Sequence, residues 1–230
     1  MLDILQNYSS LFLIGAYPNG PLGGLAMTLT LSVLGLTLSF PIAVLLGLAH
    51  MSSFGWLRFI AQWWTRIIRG IPLLLIIFWA YFCVPLIVHA EVSGFTTVVC
   101  AIVVYESAFL AQVVRAGLEG LPKGQTEAAR SIGLTWMQSM RFVRLPQALL
   151  NMVPSIVNQF VSTIKATSLA YVIGVPELTY SAAQVNTMTL TKPLETYLVL
   201  AGFYFVLCFC ISRCAGLLEL RIAGKSRRVS

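Results

Sequence analysis

Side chains able to do chemistry are few in this chain, and most of them gather in one stretch. Gln147, Asn151, Ser155, Asn158, Ser162 and Lys165 recur at steps of three or four residues, which on a helix sets them along a single face. From Asn151 to Lys165 that row rises about 21 Å at the standard helical rise. Amides, hydroxyls and one ammonium hydrogen-bond well, but none is a nucleophile with a base beside it. Two uses fit them: hydrogen bonds to a neighbouring helix, or the lining of a hydrated route. Glu106 is the one acid well inside an apolar stretch, and a carboxylate there marks a functional site unless it is a paired structural group.

Other chemistries lack their signatures. His50 and His89 have no metal-ligand company, so no metal site is expected. The five cysteines, Cys83, Cys100, Cys208, Cys210 and Cys214, lie in or at the end of apolar stretches without paired spacing, and read as small membrane hydrophobes. Ala223-Gly224-Lys225-Ser226 approaches a phosphate-binding loop, but the required first glycine is Glu219 and no strand precedes it. No nucleotide is expected to bind this chain.

The elements that must position the polar row are set by composition. The 230 residues are 58% hydrophobic and 10% charged, a balance that excludes a soluble domain, whose surface must face water. Uncharged runs cover Leu25 to Leu48 and Gly70 to Ala90, each long enough to cross a hydrocarbon core about 30 Å thick. Five transmembrane helices are expected, at about 25–48, 67–90, 92–114, 145–166 and 194–213, in one membrane domain over residues 1–230 with no linker or repeat. The first run is too long for a signal peptide and has no basic region before it, so it reads as uncleaved.

With five spans, alternate loops share a side. One set holds 13 of the 15 Lys plus Arg, including Arg58, Arg66, Arg69, Arg130, Arg141, Arg144, Arg227 and Arg228. Cationic loops stay inside during insertion, so the N-terminus is expected outside and the C-terminus inside. The net charge of +7 is then a topology signal, and no nucleic-acid partner is expected. On the inner side, residues 122–145 hold the local signals of a helix-turn-helix: a helix stopping at Gly133, then a capping-box pair, Thr135 and Gln138, with Pro146 at the next entry. On the outer side Val175 to Val185 reads as a short helix with Glu177 exposed, either a plug for a pathway mouth or part of a docking surface.

The inner segment carries a longer pattern: Glu127-Ala128-Ala129, three residues, Gly133, nine residues, Val143, one residue, Leu145-Pro146. It resembles the EAA motif of permease subunits in bacterial ATP-binding-cassette importers, with Val143 in place of the usual isoleucine. Arg69-Gly70-Ile71-Pro72-Leu73-Leu74, Gly124-Gln125 and Lys165-Ala166-Thr167-Ser168-Leu169 extend the resemblance to the polar amino acid family (histidine, glutamate and arginine permeases) over nearly the whole chain.

The resemblance implies an all-α membrane protein of the MetI-like ABC importer permease fold, in the bacterial inner membrane. Its cytoplasmic coupling helix, with Gly124, Gln125, Glu127, Ala128, Ala129 and Gly133, would dock on a partner ATPase that holds ATP and Mg²⁺. Two ATPase subunits, a periplasmic binding protein, and a second related permease or a copy of this chain are the partners implied, besides membrane lipid. The transported solute would be a polar amino acid met by Glu106, Gln112, Asn158, Ser162, Lys165, Thr167 and Ser168. Ala166 and Gln112 stand where the family usually has Asp and Glu, removing negative charge from the expected pathway. A glutamate or aspartate, or a neutral polar amino acid, is therefore favoured over a cationic one. The rival readings are a self-sufficient secondary carrier or channel, which predicts inverted repeats and helices broken near the midplane, and a membrane-embedded enzyme, for which Glu106 alone does not suffice.

Overall fold

In lipid, a backbone must satisfy its own hydrogen bonds, and the described chain does so with helices. The computed structural model describes residues 2–226; Arg227 and Arg228, two of the basic residues expected inside, lie outside the described residues. The helices are α1 (Leu2–Ile14), α2 (Gly24–His50), α3 (Gly55–Gly70), α4 (Leu73–Val88), α5 (Gly94–Glu119), α6 (Lys123–Ser131), α7 (Trp136–Ser139), α8 (Leu145–Ala166), α9 (Leu178–Thr189) and α10 (Pro193–Ser226). A π-helical turn, Met140–Arg144, joins α7 to α8, and a 3₁₀ turn, Thr167–Ile173, follows α8. Residues 223–226 lie inside α10 as helix, so no phosphate-binding loop forms there.

At the centre lies the pair α2 and α5. Thr28, Ser32, Gly35, Ser39, Ala43 and Gly47 form a buried row of small residues along α2. A Cβ on Gly35 would stand 2.4 Å from Ile102 Cγ2, and one on Gly47 would stand 2.5 Å from Val114 Cγ1. Small residues at such a crossing let two membrane helices approach closely. The Ser32 hydroxyl donates to the Thr28 carbonyl at 2.7 Å and that of Ser39 to the Leu36 carbonyl at 2.9 Å, so this polarity is satisfied without a partner.

Among the described residues, three helices are long and apolar enough to cross a membrane: α2, α5 and residues 193–217 of α10. These match three of the expected spans. The expected span 67–90 is instead broken. Pro72 disfavours helical geometry at the residue before it, Ile71 is extended at φ −103° and ψ 129°, and α3 meets α4 at 97°. At 16 residues, α4 is about 24 Å long, short of a full crossing on its own. Residues 145–166 form the expected helix α8, but its polar row keeps it out of the strongly apolar set.

Helix α1 was not anticipated. Its Ile4 and Phe12 are buried among Leu178, Ala182 and Val185 of α9 and Val199 and Leu200 of α10. Glu177, expected to be exposed, is fully buried. Its carboxylate caps α9, accepting from the backbone N–H of Thr179 and Tyr180, each at 2.9 Å, and from the Tyr204 hydroxyl at 3.1 Å. The reason is tertiary: Gly24 N–H donates to the Pro176 carbonyl and Leu178 N–H to the Thr28 hydroxyl, pinning this turn against α2. Burial pushes the Glu177 carboxyl up to about 7 despite those donors.

Candidate functional site

The polar row of α8 lies where its residue types require. Asn151, Ser155, Asn158, Ser162 and Lys165 are exposed, whereas Ala148, Met152, Val161 and Ile164 on the other side are buried. Exposed amides cannot be matched by lipid, so this face meets water or another polypeptide. Gln147 is half-buried and donates from Nε2 to Gln125 Oε1 at 3.1 Å. The lower end of the row is thus tied to α6.

Beside the row, α5 and α8 flank an open cavity of about 500 Å³ lined by Gln112 and Gly117 of α5, by Gly120 just past its end, and by Asn151, Met152 and Ser155 of α8. Gly117 lets Met152 pack closely against α5 here, since a Cβ on it would stand 2.4 Å from Met152 Cε. Among the described residues, no charged side chain lines the cavity. Asn151 and Ser155 were legible as members of the row, but Gly117 and Gly120 were not, because only the packing of α5 on α8 gives them meaning. Gln112 also lies 3.5 Å from the Thr65 hydroxyl through Nε2, and His50 Nε2 lies 3.2 Å from the same hydroxyl.

The remaining candidates separate. Glu106 is buried and accepts at Oε2 from Gln159 Nε2 at 2.7 Å, so it ties α5 to α8 and does not line the cavity. Thr167 is buried with its hydroxyl donating to the Ile164 carbonyl, and Ser168 donates to the Lys165 carbonyl, both at 2.7 Å. Asn158, Ser162 and Lys165 share the exposed face; Glu106 and Lys165 form no ion pair among the described residues.

Below the cavity, α6 ends as its sequence dictates. Gly133 adopts φ +81°; its N–H donates to the Arg130 carbonyl at 2.9 Å and Leu134 N–H to that of Ala129 at 3.1 Å. These bonds close the helix through a left-handed residue. The capping box holds, with Gln138 N–H donating to Thr135 Oγ1 and Thr135 N–H to Gln138 Oε1. Ala129 is buried, while Gly124, Glu127, Ala128 and Gly133 are exposed beside Ile132 and Met137, at 75% and 66% exposure. Large apolar residues so displayed on a polar segment mark a protein contact. From Trp136 the chain stays helical through the π turn to Ala166, and Arg144 Nη2 holds the Leu118 carbonyl at 3.3 Å. The second half of this segment and the helix that bears the polar row are thus one run of helix.

The family profile described as "Binding-protein-dependent transport system inner membrane component" matches residues 35–224. The chain belongs to this family. It is 37% identical over 215 residues to the "Probable glutamine ABC transporter permease protein GlnP" of Bacillus subtilis (strain 168), covering 90% of this chain and 98% of that one. Among solved structures, one titled "Crystal structure of an amino acid ABC transporter with histidines" matches with TM-score 0.83 at 32% identity, over 96% of this chain and 97% of that chain. A MetNI methionine ABC transporter in inward-facing form matches with TM-score 0.66 at 23% identity, over 84% and 91%, a likeness of fold. This permease is accordingly an amino acid ABC importer subunit with the MetI-like fold, and the self-sufficient carrier is not favoured.

Proposed function

We propose that this permease forms one half of the translocation route for an uncharged polar amino acid, driven by ATP hydrolysis in partner subunits. The observation that carries the reading is a direct link between helices: the exposed polar row of α8 begins where Gln147 grips Gln125 of the coupling segment. A second permease, related or identical, would close over the exposed face of α8, since five helices at most cannot enclose a route alone. Two ATPases, holding ATP and Mg²⁺, would dock around Glu127, Ala128 and Gly133. A binding protein would deliver the amino acid on the outer side, with the N-terminus outside and the C-terminus inside as the basic residues direct.

Substrate choice follows from the cavity. Gln112, Asn151 and Ser155 offer donors and acceptors but no fixed charge, which suits a side-chain amide better than a carboxylate or an ammonium. Between the two classes left open by the sequence, the neutral one is favoured, in keeping with the glutamine name of the Bacillus relative. Reconstitution with co-purified partners tests this. ATP-driven uptake stimulated by a binding protein loaded with glutamine, and not with arginine, is the expected result. Uptake without ATP or without any partner would overturn it.

A further inference from the structure

Helix α3 belongs neither to the cavity lining nor to the coupling segment, yet it is sharply two-sided. Arg58, Gln62, Thr65, Arg66 and Arg69 fall on one side at helical spacing. Trp56, Phe59, Ile60, Trp63 and Ile67 fall on the other, each between 45% and 64% exposed. Only Ala61 and Thr65 are buried, so the helix touches the rest of the chain along one narrow line, with Thr65 against His50 of α2 and Gln112 of α5.

Charge and angle say what covers the outer side. No acidic residue occurs between positions 55 and 70, and Arg58, Arg66 and Arg69 form no ion pair among the described residues. The Arg66 guanidinium lies 5.5 Å from the Trp63 ring and that of Arg69 lies 5.2 Å from Phe109. Three uncompensated cations thus border an aromatic face. The 97° bend turns α3 into the membrane plane when α4 runs along the membrane normal, and at 16 residues it lies about 24 Å along that plane. Tryptophan prefers the membrane–water boundary, and a basic helix with an apolar face sinks it about 5–10 Å into the headgroup region.

We propose that α3 is an in-plane helix that binds anionic lipid: its arginines take the phosphates of acidic headgroups while its aromatic side enters the acyl boundary. Through Thr65 the lipid-bound helix then holds the inner ends of α2 and α5. Its placement on the inner leaflet rests on the orientation proposed above.

The test uses the assembled transporter in mixed phosphatidylcholine and phosphatidylglycerol vesicles, with bromine on the acyl chains of one lipid at a time. Trp79→Phe and Trp136→Phe leave Trp56, Trp63 and Trp64 of α3 as this chain's tryptophans, and their quenching is read as the difference from the same assembly that also carries Trp56→Phe, Trp63→Phe and Trp64→Phe. Brominated phosphatidylglycerol should quench more than an equal fraction of brominated phosphatidylcholine. Arg58→Gln/Arg66→Gln/Arg69→Gln should bring that ratio towards one, each arginine accounting for up to about fivefold enrichment of the acidic lipid. Arg58→Gln alone, at an exposed position that stacks on no ring among the described residues, should lower it part-way and reads the effect even if the triple variant does not insert. Equal quenching by both lipids, or a ratio untouched by these changes, would overturn the proposal. Absence of quenching by either lipid would also overturn it, by showing that protein covers the face. ATP-driven uptake by the unaltered transporter in the same vesicles reports the importer reading separately.

Discussion

Helices α2 and α8 each carry a polar row at helical spacing, and the two rows end in opposite surroundings. Ser32 and Ser39 of α2 are buried, because a serine or threonine on a helix can donate to a carbonyl three or four residues back, while the buried Thr28 hydroxyl accepts from Leu178 N–H. Asn151, Asn158 and Lys165 of α8 have no such self-contained solution: an amide presents two donors and an acceptor, an ammonium three donors. They stay exposed. Residue type thus separates a scaffold row from a working row at the same spacing. One helix supplies dry close packing and the other a wettable face.

The sharpest way to break this contrast is to enlarge the scaffold row. Gly35→Leu or Gly47→Leu drives a side chain into Ile102 or Val114 and should cost about 3 kcal/mol or more, as severe overpacking does. The expected result is a large fall in melting temperature and in recovered protein. Asn158→Leu on the working row should leave melting within about 0.5 kcal/mol of the parent, as for an exposed position, while uptake falls about tenfold or more through loss of a polar contact to solute. If the two substitutions behave alike, the distinction fails.

A smaller effect sharpens the link from the working row to the ATPase. Gly133→Ala forces a Cβ into the left-handed region at φ +81°, a strain of about 1–2 kcal/mol. The altered helix terminus should lower ATP-driven uptake severalfold while the assembly still hydrolyses ATP. Tight uptake-to-hydrolysis coupling in that variant would remove Gly133 from the account.

How much of this contrast could be read beforehand depended on the reach of each interaction. Gly133 and the Thr135–Gln138 box were legible because their bonds close within five residues. The row on α8 was legible by spacing, and its exposure followed from side-chain type. Pro72 was visible, but the sequence pattern was read as the entry to a span, whereas the proline turned the chain by 97°. Glu106 stands out in the sequence as an acid inside an apolar stretch; its partner Gln159, 53 residues away, is visible only in the packing of α5 on α8. Helix α1 mixes Asp3, Asn7, Ser9 and Ser10 with its apolar residues, so only contact with α9 and α10 reveals its buried side.

Glu177 gives a further predicted effect, and one that belongs to the scaffold. Its carboxyl lies at about 7, above the ordinary 4.5, so the folded chain holds a proton there that the unfolded chain has released. That stabilisation is complete below about pH 4.5 and is lost as pH rises through about 7. Melting of the parent should therefore fall relative to Glu177→Gln between about pH 5 and about pH 8, and a parallel pair of pH profiles would contradict it.

The central claim, that the exposed row of α8 faces the translocation route and moves with the coupling segment, is tested most directly by cysteine accessibility in the assembled transporter. With the five native cysteines replaced, single cysteines at Asn151, Ser155, Asn158 and Ser162 are challenged with a membrane-impermeant thiol reagent, with and without ATP and loaded binding protein. The account predicts that all four label, that Leu150 on the outward apolar side does not, and that ATP with loaded binding protein changes the rates along the row. Labelling no faster at the row than at Leu150, or rates indifferent to ATP, would contradict it.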